Sequence, residues 1–481
     1  MFRAALTAIV LLLAPTLAAP QGGATVTILH FNDVSEITPV EGGAAGGLAR
    51  VATLRARLRA QQPSLLTTLG GDYLSPSAIG TAVVNGERLA GRQMVAVLNA
   101  VGLDWATFGN HEFDIPEAAL RARLAESTFR IVSSNVTDAR GALFPGTVTR
   151  AILPIKTAAG LVRTCLIGLT IDSNRQAWVR YLPFIESARS TVAGLRGQCD
   201  AIVALTHLEL DQDQQLAEAV PEIDLILGGH EHENWLLRRG PRFTPIVKAD
   251  ANVRTVAVVT LRIPRKGARP VVTARLETID ARIPEGRRTS TEARTWTDLA
   301  FQGFRQSGFE PSQVVAALDI ALDGREGAVR NRANALTDLI VEAMRREAGT
   351  EIAIVNGGSI RIDDVLPPGP VTQYDVIRVL PFGGPVVKAT VTGALLSRIL
   401  DAGMKNQGEG GFLHVARPPA IDPTARYPIA ISDFLLTGAE LNLGFLTPQH
   451  PDVSDVSELR DVRMAVIDEL RRRFPAAPTR P

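Results

Sequence analysis

The sequence predicts an α/β protein built as two domains, and three observations carry that reading. Its 481 residues exceed the length of one ordinary domain. Through the first 283 residues, short apolar runs rich in β-branched side chains alternate with stretches of helical periodicity. Over 284–297 the chain turns polar (EGRRTSTEART) and loses its buried-type runs, which resume beyond 311.

Residues 1–20 read as a secretory signal peptide, with Arg3 as the positive end, an apolar stretch over 4–13 and a small-residue exit at Ala18 or Ala19. Pro20 disfavours a cut directly before it, so Ala18 is the preferred exit. The alternative is a membrane anchor, but the apolar run is shorter than the ~20 residues a spanning helix needs. A secreted or periplasmic location follows, with no membrane span once the signal is removed. Export would place Cys165 and Cys199 in an oxidising compartment. They either pair or remain two buried thiols, because the sequence does not give their separation.

The elements then follow in order. Residues 25–31 alternate and are β-branched, which predicts a strand. Residues 46–60 (GGLARVATLRARLRA) place apolar side chains at helical spacing, with arginines opposite. Residues 64–69 form an apolar run leading into GGDYL, 92–101 read as a helix, and 102–107 form the apolar run before FGNHEFD. A helix over 116–126, apolar runs at 129–133, 162–169, 201–206 and 224–227, and a closing β pair at 253–263 and 270–279 complete a first domain over 24–283. Residues 284–310 form the link, with a bridging helix over 296–304. The second domain spans 311–474. It contains a helix over 335–348, a strand over 351–355 and the glycine-rich turns NGGSIR, PFGGPV and GEGGFL. The Pro-rich end, 475–481, reads as a disordered tail. No internal repeat is visible.

Composition excludes some partners. The chain is 46% hydrophobic and 21% charged, and 51 basic residues against 50 acidic ones leave a net charge of +1. Such a balance argues against a nucleic-acid polymer or an anionic membrane as the main partner, whereas a small anion needs only local positive charge. Only 5% of residues are aromatic, so any aromatic platform must use few rings.

Five segments carry the chemistry: FNDVSE, LGGDYL, FGNHEFD, LTHLE and LGGHEH. They offer Asp33, Asp72, Asn110 with His111, His207, and His230 with His232, each just after an apolar run. In an open α/β sheet, residues beyond the carboxyl ends of strands gather along one crevice, so positions distant in sequence can converge. Four of the seven histidines fall in these slots. Imidazole suits Zn and related ions, carboxylate suits Mg, Mn or Ca, and a carboxylate can bridge two ions about 3.5–4 Å apart to clamp a phosphoryl group. Asp114, three residues after His111, can orient that imidazole. The glycine pairs of GGD and GGH let the backbone turn tightly near ions. Taken singly, Asp33 and Asp72 also suit helix caps or turns, and His207 a core histidine. His30, His414 and His450 lie outside the slots, and Glu209, Asp211 and Asp213 read as a solvated face.

With these five motifs in order, the chain resembles the 5′-nucleotidase family of calcineurin-like metallophosphatases. The resemblance implies a four-layer α/β sandwich, a linker helix and a C-terminal substrate-binding domain that rotates to present substrate. It implies one divalent ion held by Asp33, Asp72 and His232, and another held by Asp72, Asn110, His207 and His230. His111 would face the phosphate, with Asp114 orienting it. The ions could be Zn, Mn, Mg or Ca. The family usually has a His where this chain has Ser35, so one ligand of the first ion differs. In the second half, NGGSIR matches a substrate-binding turn carrying Asn356 and Arg361, Arg330 matches a further arginine, and Phe382 of PFGG matches a ring that stacks on the nucleobase. A second ring usually comes from a GGDGF-type turn. Here the aligned turn is TGAELN, and Asn442 holds the ring position, with Phe445 nearby in sequence.

The implied function is exported hydrolysis of phosphomonoesters, nucleoside 5′-monophosphates foremost, by a metal-activated hydroxide. Hydrolysis of 2′,3′-cyclic nucleotides or UDP-sugars is the alternative that the altered turn raises. A secreted binding protein with a decayed site is the alternative that Ser35 raises.

Overall fold

The computed structural model describes residues 23–416 and 420–475. The expected signal peptide and the tail beyond Pro475 lie outside these residues.

Two sheets face one another in the first half. The first has seven strands in the order Val271–Thr278, Thr255–Ile263, Ala24–Phe31, Leu65–Leu69, Trp105–Ala106, Arg130–Val132, Thr147–Val148. From Ala24–Phe31 to Arg130–Val132 neighbouring strands run parallel. The second has six strands, ordered Trp235–Arg239, Thr244–Lys248, Leu225–Gly228, Ala201–His207, Gly160–Thr170, Arg150–Thr157, and its central pairs are also parallel.

Strand periodicity makes this a sandwich. Successive side chains point to opposite faces, and here both faces are apolar. Val26 and Ile28 pack between the sheets with Val203, Leu205, Leu225 and Leu227. Leu29 and Phe31 turn outward to the helices Leu48–Gln61 and Arg92–Val101. On the far side, Cys165, Ile167 and Ala204 pack against Phe184–Ala193 and Leu210–Ala219. Helix, sheet, sheet and helix give the expected four layers. Cys165 is bonded to Cys199, which closes the question the sequence left open.

The polar stretch after 284 is ordered differently from expectation. A single helix of 20 residues, Arg287–Gln306, begins nine residues before the expected bridging helix. Its buried positions are Thr289, Ser290, Ala293, Ala300, Gly303 and Phe304. Small side chains let it sit close to its neighbours: a Cβ on Gly303 would lie 2.4 Å from the Val83 carbonyl oxygen. Over its first half the buried positions are Thr289, Ser290 and Ala293, so no large apolar side chain marks that part in the sequence.

The second half is built on a five-stranded mixed sheet, ordered Leu413–Val415, Ile352–Asn356, Arg426–Ser432, Pro385–Thr392, Val453–Asp461. Helix Ala335–Ala348 packs on it, and its first turn is capped by Asn334, whose side chain accepts from the amides of Leu336 and Thr337. The halves meet in a buried ionic knot. Arg378 donates to Glu36 at 3.1 Å and to Asp364 at 2.8 Å, and all three side chains are buried. Burial raises the Glu36 pKa, opposed by the Arg378 charge.

Candidate metal centre

Each candidate residue sits at or just past the carboxyl end of a parallel strand. Asp33 follows Ala24–Phe31, Asp72 follows Leu65–Leu69, Asn110 and His111 follow Trp105–Ala106, His207 ends Ala201–His207, and His230 and His232 follow Leu225–Gly228. The first three strands belong to one sheet and the last two to the other. The crevice therefore lies along the end of the sandwich, where both sheets contribute.

Glycines make the approach possible. A Cβ on Gly109 would lie 2.0 Å from Asp72 Oδ1, and one on Gly229 would lie 2.8 Å from Asp33 Oδ2. Gly71, at φ +87°, would place one 2.7 Å from His207 Nδ1. Four non-glycine candidates also occupy left-handed backbone: Asp33 at φ 52°, Asp72 at 54°, His230 at 90° and His232 at 59°. Such residues cost about 1–3 kcal/mol each and cluster where surrounding structure holds a functional side chain in place.

The donor atoms converge. One donor atom each from Asp33, Asp72 and His207 all lie within 4.8 Å of one another. His207 Nε2 is 3.1 Å from Asp72 Oδ2 and 3.1 Å from Asn110 Oδ1. His207 Nδ1 donates to the Gly70 carbonyl at 2.7 Å, which turns Nε2 toward the cluster. The His207 and His230 rings are 5.2 Å apart, and His232 Nε2 is 3.5 Å from Asp33 Oδ1. Asp33 Oδ2 accepts from Asn32 and from the His230 amide, whereas Asp33 Oδ1 is buried with no hydrogen-bond partner among the described residues.

That donor set fits divalent cations. An uncompensated buried carboxylate oxygen, a second carboxylate, an amide oxygen and imidazole nitrogens share one small space, and buried charge needs a counter-charge. The electrostatics agree. Burial disfavours the charged forms of His207 and His232. Even so, Asp72 and Asp33 raise the first to about 9, and Glu326 and Asp363 raise the second to about 10. The pocket thus favours positive charge. His230 is pushed the other way by burial and by His207, which keeps it neutral, the form that binds a metal.

His111 stands at the rim of this cluster. Its backbone amide donates to Asp72 Oδ1 at 2.8 Å, and its Nδ1 lies 2.7 Å from Asp114 Oδ2. Asp114 is itself held by Ser75 at 2.9 Å and Asn174 at 2.6 Å. Burial works against the imidazolium, but Asp114 and Asp72 outweigh it and raise the pKa.

From the second half, Arg361 reaches both the narrow space beside Asp33 and Asp72 and a chamber of about 630 Å³. Its Nε has no hydrogen-bond partner among the described residues. Phe382, Asn356 and Asp114 also line the chamber. Arg330 is placed differently. It pairs with Glu326 and lines a separate charged cleft of about 680 Å³ beside His230 and His232. Asn442 does not line the Phe382 chamber; its amide donates to Asn406 at 2.6 Å. Phe445 lies under the Arg398 guanidinium, 3.7 Å from the ring centroid, and does not supply a second ring to the chamber.

Several contributors were not picked out in the sequence. Glu112, inside FGNHEFD, accepts from the amides of Asp72, Tyr73 and Leu74 and so folds the GGDYL loop onto the histidine motif. Burial, with the Asp72 charge, raises its pKa to about 7. Its motif position was the available signal. Phe434 is half exposed and lines the same chamber as Phe382. Asp213, expected on a solvated face, is fully buried 3.0 Å from the equally buried Lys248 Nζ. The buried ammonium provides the partner that a carboxylate needs in a dry site.

A fold of two facing sheets with an anionic, imidazole-rich cluster at their carboxyl ends defines the metallophosphoesterase class. Comparison with known proteins agrees. Residues 26–234 match the family model for calcineurin-like phosphoesterases, and 314–417 match that for the 5′-nucleotidase C-terminal domain. The chain belongs to the 5′-nucleotidase family and is a metal-dependent phosphoester hydrolase. It is 26% identical to Protein UshA of Yersinia enterocolitica over 86% of each chain. It is 27% identical to the trifunctional nucleotide phosphoesterase YfkN of Bacillus subtilis over 66% of this chain, but that match spans only 24% of YfkN. Its fold matches the 5′-nucleotidase precursor of Thermus thermophilus with a TM-score of 0.75, at 23% identity, covering 93% of this chain and 96% of the other.

Proposed function

We propose that the chain is an exported two-metal hydrolase of phosphomonoesters, acting foremost on nucleoside 5′-monophosphates. One observation carries the reading: Arg361 borders both the narrow space beside Asp33, Asp72 and His232 and the chamber that bears Phe382. A phosphoryl group suits the narrow space, and a flat heterocycle suits the chamber. In this reading Asp33, Asp72 and His232 hold one divalent ion, while Asp72, Asn110, His207 and His230 hold the other. When bound, such a pair supplies Lewis-acid charge and a water that ionises near neutral pH. The protein's own groups do the rest. Asp114 fixes His111 through Nδ1 and leaves Nε2 to meet the leaving oxygen. Arg361 carries an unpaired Nε–H to developing negative charge. Asn356 and Phe382 bound the leaving group's chamber, and Arg330 lends positive charge from the neighbouring cleft.

Export is supported by the signal-like residues 1–20 and by the Cys165–Cys199 bond, which suits an oxidising compartment. Among the described residues no helix is long and apolar enough to cross a membrane. The names of the relatives, a 5′-nucleotidase precursor and a nucleotide phosphoesterase, support a nucleotide as substrate. A second reading keeps the site and changes the ester to a 2′,3′-cyclic nucleotide or a UDP-sugar. The position of Asn442 outside the chamber favours it.

A hydrolysis panel over AMP, 2′,3′-cyclic AMP, UDP-glucose and a simple aryl phosphate, with Mn²⁺ or Zn²⁺ added, tests the reading. AMP is expected to give the highest kcat/KM, and Asp72→Asn to abolish turnover with the fold retained. A strong preference for the cyclic or pyrophosphate substrate would move the assignment to the second reading, and wild-type turnover by Asp72→Asn would overturn the site.

A further inference from the structure

We propose that Asp363, from the second half of the chain, is a positioning residue for His232: it fixes the imidazole so that Nε2 faces Asp33, and so ties that metal position to the seating of one half against the other. The inference rests on the two-metal reading above.

His232 lies between two carboxylates. Its Nε2 is 3.5 Å from Asp33 Oδ1, and its Nδ1 is 3.0 Å from Asp363 Oδ2. An imidazole that offers Nε2 to a cation must carry its proton on Nδ1, and here that N–H has one well-placed acceptor. Carboxylates in this relation to a ligating histidine fix its tautomer and ring angle and raise its basicity. Glu326 is the nearest competitor, but its Oε2 is 3.4 Å from Nδ1 and its other oxygen pairs with Arg330. A contact of 3.4 Å lies beyond ordinary N–H···O distances.

The carboxylate is held for this task. Asp363 Oδ1 accepts from the Glu326 amide at 2.9 Å, and Arg254 donates to the Asp363 carbonyl oxygen. Arg254 also approaches Oδ2 at 3.6 Å. The Asp363 backbone has φ 40°, a left-handed conformation that a non-glycine residue keeps only when its surroundings impose it. The need is greatest at this position. Ser35 stands where the resemblance implies an imidazole, and its hydroxyl donates to Asn252 at 3.1 Å. His232 is therefore the one imidazole assigned to that ion, and its orientation comes from a loop 131 residues away.

Calorimetric titration of the full chain with Mn²⁺, checked by elemental analysis after dialysis, resolves the two binding steps. Asp363→Ala is expected to weaken one step by roughly 10–100-fold and spare the other. Asp363→Asn, whose amide oxygen still accepts from Nδ1, is expected to recover most of the loss. Arg254→Gln removes a support of Asp363 but leaves its carboxylate beside Nδ1, and is expected to weaken the same step less than Asp363→Ala does. Unchanged binding in Asp363→Ala would overturn the proposal. An equal loss in Arg254→Gln would also overturn it, by assigning the effect to loop packing. A wild-type chain that binds no metal would overturn the two-metal reading and this inference with it.

Discussion

The two oxygens of Asp72 have different duties: Oδ1 accepts the amide of His111, and Oδ2 faces His207 Nε2 at 3.1 Å. The same carboxylate thus anchors the FGNHEFD motif and borders both proposed ion positions. His111, held by Asp114, is expected to act on the leaving oxygen. His111→Ala should lower kcat for a nucleotide by about 10²–10⁴-fold while metal content stays at the wild-type level. Steady-state kinetics with elemental analysis checks this, and lost metal would instead make His111 a structural residue. Phe382 and Phe434 both line the chamber, and both are half exposed. If they grip a base, Phe434→Ala should cost about 1–3 kcal/mol of binding, read as a raised KM for AMP and not for a simple aryl phosphate. The candidate ligands were legible because each motif carries both its chemistry and its place at a strand end. Phe434 and Asp363 were not, because neither lies in a metal motif and only the folded chain brings them to the site.

At the level of elements, the strand Ala24–Phe31 is buried on both faces, and His30 within it takes no part in the site. His30 Nδ1 lies 3.0 Å from Thr68 Oγ1, and Nε2 lies 3.1 Å from the Gly228 carbonyl oxygen. Burial lowers its pKa from 6.5 to about 4, against the opposing pull of the Gly228 carbonyl. A neutral imidazole is therefore favoured in the folded chain, and the unfolded chain binds the extra proton between those values. The stability it contributes is complete above pH 6.5 and is lost as pH falls toward 4, by about 3 kcal/mol. Denaturant titrations at pH 7 and pH 4 should show that loss reduced in His30→Gln; an identical pH dependence would contradict the assignment. Strands and helices with apolar periodicity were readable along the chain, Arg92–Val101 and Ala335–Ala348 to the residue. The helix Arg287–Gln306 was only half seen, since Thr289, Ser290 and Ala293 are the buried positions of its first half. Asp213 was misread for a related reason: its partner Lys248 is 35 positions away, and only the sheet brings the two charges together.

Across the whole molecule, the site depends on how the halves meet. Arg361 and Asp363 come from the second half, and the Glu36–Arg378–Asp364 knot is buried where the halves join. Removing Arg378 would leave two buried carboxylates without their cation, a loss of about 3–5 kcal/mol. Arg378→Ala should therefore lower the unfolding free energy by that order, and adding Glu36→Gln should recover part of it; an unchanged denaturation midpoint would contradict the knot's role. No sequence pattern pointed to this contact, because its members belong to different motifs in different halves. The approach of the candidate side chains to one another, by contrast, was expected from their places at strand ends together with the family resemblance, and their role as ligands can be tested directly. Crystals soaked in Mn²⁺ and measured at its absorption edge should give two anomalous peaks about 3.5–4 Å apart, with Asp72 between them, one beside Asp33 and His232 and the other beside Asn110, His207 and His230. A single peak, or peaks away from Asp72, would contradict the account.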